Sequence, residues 1–118
     1  MTTFYDSHGN AIAYFDDDEY IFLYGGEPVA WFSDENIYAY SGRYLGWMQN
    51  GWIYDRKGNP AFFTDDSSGG PSRPARAARP ARGARWARPA RGARESRPSR
   101  PSRSLTWSSL SNLQFFKQ

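Results

Sequence analysis

Residues 4–15 read Phe-Tyr-Asp-Ser-His-Gly-Asn-Ala-Ile-Ala-Tyr-Phe. Two short runs of β-branched and aromatic side chains flank a glycine-bearing turn, Asp6-Ser7-His8-Gly9, which is the pattern of a β-hairpin. The pattern recurs three times. Gly9, Gly26, Gly42 and Gly58 follow one another at spacings of 17, 16 and 16 residues. Just before each stands an apolar pair: Phe4-Tyr5, Ile21-Phe22, Ile37-Tyr38 and Ile53-Tyr54. After each comes a second run: Ile12-Ala13-Tyr14-Phe15, Val29-Ala30-Trp31-Phe32, Leu45-Gly46-Trp47-Met48 and Ala61-Phe62-Phe63-Thr64. Four hairpins make about eight short strands, and because one hairpin is marginal alone in water, the four must share a core. The small residues Ala13, Ala30 and Gly46 let neighbours approach a common axis. Phe62 breaks that rule in the last unit, as a plug would.

Charge divides the 118 residues sharply. Residues 1–66 hold eleven acids and three bases, so 3 − 11 = −8; residues 67–118 hold twelve bases and one acid, so 12 − 1 = +11. Seventeen of the 21 aromatic residues lie in the first 66, so the acidic half is the one able to build a core. The chain divides into a β head (1–66), a Gly/Ser/Pro linker (67–72), a basic tract (73–104) and an apolar C-terminal segment (105–118). No cysteine is present, which removes disulfides and thiolate metal sites. The N-terminus lacks the pattern of a signal peptide and no stretch has the length of a membrane span, so the default location is cytoplasmic.

In the tract, Arg73, Arg76, Arg79, Arg82, Arg85, Arg88, Arg91, Arg94, Arg97, Arg100 and Arg103 recur every third residue. An α-helix would smear that period around its axis and a strand would alternate it between faces. A polyproline II chain, with three residues per turn, stacks it in one column, and the five prolines of the tract favour that backbone. At ~3.1 Å per residue the tract spans roughly 95 Å, whereas a 66-residue head has a radius of gyration of about 11 Å. A straight tail therefore cannot lie on its own head; it wraps, projects or reaches other subunits. The alternative is a disordered low-complexity tail. Trp86 reads either as an anchor or as a lone exposed aromatic. Trp107, Leu110, Leu113 and Phe116, spaced by threes and joined by Phe115, read as a short helical hook with one apolar face.

The ordered set FYDSHGNAIAYF, IFLYGGEPVAWF, IYAYSGRYLGWM and WIYDRKGNPAFF, followed by SSGGPSRP and LTWSSLSNLQFF, resembles the bacterial four-fold β-flower proteins. The resemblance covers head, linker and C-terminal segment. It implies a mostly β fold, a pseudo-fourfold, flower-like ring of hairpins, and supplies no catalytic residue.

Enzyme chemistry finds little to work with. His8 is the only histidine and sits in a turn, and neither a nucleophile motif nor a phosphate loop occurs. Asp16-Asp17-Asp18-Glu19 lacks the alternating ligands of a calcium loop. No cofactor is called for. The first functional expectation is a non-enzymatic assembly protein, in which the tail and hook dock on acidic heads through Asp16, Asp17, Asp18, Glu19, Asp34, Glu35, Asp65 and Asp66 to form a homo-oligomer or filament. The second is nucleic-acid binding by the arginine ridge. A third is glycan or peptide recognition by the head aromatics.

Overall fold

The computed structural model describes residues 1–16 and 19–118. Eight strands run antiparallel in chain order: β1 (Thr2–Tyr5), β2 (Ala11–Phe15), β3 (Tyr20–Leu23), β4 (Pro28–Ser33), β5 (Asn36–Tyr38), β6 (Tyr44–Gln49), β7 (Trp52–Asp55) and β8 (Pro60–Phe63). The last pairs with the first, Tyr5 opposite Phe63, and closes a barrel. Closure satisfies the sheet edges that four separate hairpins would leave open.

The four turns are built alike. The N–H groups of Gly9, Gly26, Gly42 and Gly58 donate to the carbonyls of Asp6, Leu23, Ala39 and Asp55 at 3.0, 2.9, 2.9 and 3.1 Å. All four glycines have positive φ, between 83° and 102°. The ladder slips by one residue at the same place in every hairpin, at Phe4/Tyr5, Ile21/Phe22, Ile37/Tyr38 and Ile53/Tyr54. The extra residue stands on the second strand, at Ile12, Val29, Leu45 and Ala61, so each hairpin carries a bulge beyond its glycine-closed turn and bends in the same sense. In the first and fourth turns the aspartate adds a clasp. Asp6 Oδ1 accepts from the N–H groups of His8 and Asn10, and Asp55 Oδ1 from those of Lys57 and Asn59, all at 2.9–3.0 Å.

Facing residues of each hairpin fill the lumen as large–small pairs: Phe4 with Ala13, Ile21 with Ala30, Ile37 with Gly46. The fourth pair is Ile53 with Phe62, and the Phe62 ring stacks on Phe4 at 5.9 Å. Phe62 occupies the space that the three small residues leave, as its position in the repeat foreshadows. Outside, each seam between hairpins carries a stacked aromatic pair. Tyr14–Phe22, Trp31–Tyr38, Trp47–Tyr54 and Tyr5–Phe63 lie at 6.0, 5.2, 5.3 and 5.3 Å, with ring planes 25–26° apart. A barrel this small is thus apolar on both faces, and the outer girdle needs a cover.

After β8 the chain turns past the β6–β7 connection, where the Trp52 indole N–H donates to the Gly69 carbonyl at 3.1 Å. Residues 72–104 then carry neither helix nor strand. The hook closes the turn end of the barrel. Ser108 hydroxyl donates to Asp55 at 2.5 Å, and Ser111 hydroxyl donates to the Ala61 carbonyl while accepting from the Ser7 N–H, both at 2.7 Å. A 3₁₀ helix, Leu113–Lys117, capped by the Asn112 side chain, follows. Phe115 and Phe116 pack on Phe62 at 5.3 and 5.7 Å. The hook therefore buries Phe115 and Phe116, half-buries Trp107 and Leu110, and leaves Leu113 exposed; the face expected from the three-residue spacing is only partly the face that docks. No helix among the described residues is long and apolar enough to cross a membrane.

Candidate tail-docking interface

The tail wraps its own head. Its backbone passes the four turns in chain order: the N–H groups of Ala77, Trp86, Glu95 and Ser104 donate to the carbonyls of Gly9, Gly26, Gly42 and Gly58 at 2.8, 3.0, 2.9 and 2.9 Å. Each donor lies nine residues after the last. Nine residues of extended chain at ~3.1 Å cover ~28 Å. A quarter of a circle 36 Å across, the broad dimension of the molecule, is also about 28 Å. Three arginine triplets thus measure one hairpin, and the tail keeps register with the ring.

The glycine turns make this approach possible. A Cβ on Gly26 would lie 2.7 Å from the Ala84 carbonyl carbon, and one on Gly42 would lie 2.6 Å from that of Ala93. At the second and third hairpins the tail also donates from Gly83 to the Tyr24 carbonyl at 2.7 Å and from Gly92 to the Tyr40 carbonyl at 2.6 Å. Nine residues to either side, at the first and fourth hairpins, stand Pro74 and Pro101, which have no N–H to give.

The guanidinium groups fall onto the outer aromatic girdle with the same nine-residue step. Arg76, Arg85 and Arg94 stand over Tyr5, Phe22 and Tyr38 at 5.8, 4.3 and 5.7 Å. Arg82, Arg91 and Arg100 stand over Tyr14, Trp31 and Trp47 at 5.1, 4.2 and 5.3 Å. Arg88 lies over Tyr20 at 3.7 Å. Ion pairs complete several of these contacts: Arg76 with Asp65, Arg82 and Arg85 with Asp16, and Arg91 with Glu19. Arg94 donates to the Ser33 hydroxyl at 2.6 Å, Arg100 to Asn36 at 3.1 Å, and Arg73 to Ser67. Among the described residues, Arg79, Arg97 and Arg103 make no hydrogen bond or ion pair.

Of the eight acidic acceptors read from the sequence, Asp16, Glu19 and Asp65 engage the tail. Asp34, Glu35 and Asp66 are exposed, without an ion pair among the described residues, and Asp17 and Asp18 lie outside those residues. One contact runs the other way: Glu95, the single acid of the tail, accepts from the Tyr44 N–H at 2.7 Å and faces Arg56 at 3.7 Å. The girdle is dry enough that burial, the largest cause in each case, raises the Tyr24 and Tyr44 phenols above their ordinary value. His8 stands exposed in the first turn.

In the closed chain Trp86 does not insert its ring into the head. Its side chain is 60% exposed, and the residue serves the interface through its backbone N–H. Trp86→Ala should therefore shift stability by no more than about 0.5 kcal/mol. Trp86→Pro, which deletes the donor and leaves the Gly26 carbonyl unpaired, should cost about 1–3 kcal/mol. Paired urea titrations of the two variants measure the difference.

No single contact dominates the docking. Exposed ion pairs contribute about 0–1 kcal/mol each and exposed cation–π contacts about 0.5–1 kcal/mol. Only the first kind is screened strongly by salt. The tail is held by repetition, with backbone hydrogen bonds setting its path and arginine stacking covering the girdle.

No curated protein and no solved structure matches the chain. A family model, described as 4-fold beta flower protein, matches residues 2–116 and so takes in the head, the encircling tail and the hook together. With four like hairpins closed into one ring and a hook stopping its centre, the chain belongs to the 4-fold beta flower protein family.

Proposed function

We propose that this chain is a non-enzymatic assembly protein whose basic tail and hook are the fastening device, docked on its own head in the closed chain and on a neighbour's head in a homo-oligomer. The observation that supports this reading is the nine-residue register between tail donors and turn carbonyls. A groove offering four equivalent carbonyls fits the tail of any copy as well as its own. The linker sets the balance. A short linker holds the tail at an effective concentration of about 1 mM, so the closed chain prevails in dilute solution and exchange grows with crowding.

The test mixes two differently tagged full-length chains at about 1 M salt, where ion pairs are screened, and returns them to about 50 mM. Native mass spectrometry is expected to show mixed-tag oligomers that increase with protein concentration. Only single-tag monomers up to about 1 mM would refute the proposal. Nucleic-acid binding is less favoured, because phosphates would have to strip Arg82, Arg85 and Arg91 from Asp16 and Glu19 and from the aromatic girdle.

A further inference from the structure

The two ends of the barrel are unlike. At the turn end the hook lies across the mouth, touching the first turn through Ser7 and the fourth strand pair through Ala61. On its outer side Leu113 is 44% exposed, with Lys117 at the end of the same 3₁₀ helix. Arg43 and Lys57, on the third and fourth turns, are also exposed, and so is Glu27, which lines the same depression as Leu113 and Lys117. The opposite end is hollow. A depression of about 1150 Å³ has Phe15, Phe32 and Met48 on its floor and Asp34 and Glu35 on its lip. Arg91 and Arg94 also line it, but they are turned to Glu19 at 3.0 Å and to the Ser33 hydroxyl at 2.6 Å. The Ser33 hydroxyl is neutral and leaves the Arg94 charge in place, so the described lining sets Glu19, Asp34 and Glu35 against Arg91 and Arg94, 2 − 3 = −1.

We infer that the hollow end receives the turn end of a second copy, Leu113 entering above Phe15, Phe32 and Met48 while Lys117 meets Asp34 and Glu35. The occupant follows from the complementarity of the two ends. An apolar side chain and an apolar hollow lie at opposite mouths of one barrel, and the described charges around them differ in net sign: Lys117, Arg43 and Lys57 against Glu27 give 3 − 1 = +2 at the turn end, and the hollow carries −1. Such a contact joins two different surfaces, so each added copy leaves a fresh projection and a fresh hollow, and the product is an open stack. The inference extends the reading of the chain as a self-assembling protein, but it uses neither the tail nor its groove.

The test is complementation. Leu113→Asp removes the projection and leaves the hollow; Met48→Asp charges the hollow and leaves the projection. Sedimentation velocity on each variant alone should show loss of all stacked species, whereas an equimolar mixture should form a one-to-one dimer that grows no further. A second pair keeps the test independent of a core substitution: Glu35→Lys and Lys117→Glu should each raise the dissociation constant about tenfold or more, and the double variant should regain much of that loss. Stacks that persist in Leu113→Asp, or mixtures that stay monomeric, would overturn the inference. Tail exchange is read separately, because mixed-tag oligomers of Leu113→Asp chains remain possible when stacking is gone.

Discussion

Gly26→Ala should lower stability by roughly 2–4 kcal/mol and open the tail to trypsin, while Gly25→Ala, one residue away, should be nearly silent. Gly26 has a φ of +102°, where any residue with a Cβ is strained by about 1–2 kcal/mol. The added methyl group would also sit 2.7 Å from the Ala84 carbonyl carbon and 3.2 Å from the Arg85 Cα, both backbone atoms that move only if the tail retreats. Retreat breaks the Trp86 hydrogen bond to the Gly26 carbonyl and lifts Arg85 off Phe22. Gly25 has nothing within 4 Å of the corresponding position. Trypsin supplies the second readout, since Arg82-Gly83 and Arg85-Trp86 flank the site and are not followed by proline. Equal effects of the two substitutions on stability and cleavage would show that the tail is not held at this turn.

Phe115→Ala should be the most damaging single change in the C-terminal segment, costing about 3–5 kcal/mol, whereas Leu113→Ala should change stability by about 0.5 kcal/mol or less. Phe115 is fully buried and meets the rings of Phe62 and Phe116 edge-on at 5.3 and 5.2 Å. Removing it leaves a void against Phe62, the residue that already fills the lumen for three small neighbours. A small domain has about 5–15 kcal/mol in total, so the loss is a large part of the whole. Urea denaturation followed by far-ultraviolet circular dichroism measures both variants. If the two lost equal amounts, the hook would be an ornament of the barrel and not its stopper.

The head was legible because its turns demand particular residues. A glycine at positive φ four times over, with β-branched and aromatic runs on both sides, leaves little choice of fold, and the odd Phe62 marked the unit that fills the lumen. The tail was legible in its period and not in its path. Arginine every third residue describes a column, but a column says nothing of what it leans on. The path lay in the residue after each arginine: Ala77, Trp86, Glu95 and Ser104 are each preceded, three and six residues earlier, by glycine or proline. Those four residues share no side-chain chemistry, since what they contribute is a backbone N–H, and a reading by side chain passes over it. Trp86 is the plainest case, with its N–H bonded to Gly26 and its ring 60% exposed. Leu113 falls outside the docked face, because the hook turns into the mouth of the barrel and offers it the adjacent Phe115 and Phe116.

The prolines of the tail have a further consequence. Slide the tail one triplet in one direction, and Pro80, Pro89 and Pro98 arrive where Ala77, Trp86 and Glu95 donate; slide it the other way, and Pro74 and Pro101 arrive at the end positions. The arginine column alone would accept either slip, since one guanidinium would replace the next. Proline forbids it. The tract behaves as a vernier, with a coarse scale of charge repeated every three residues and a fine scale of missing donors that lines up only once. Expansion or loss of a single coding triplet-of-residues would leave the charge pattern intact and jam the scale, while a change of nine residues would add or remove one whole quarter of the circuit.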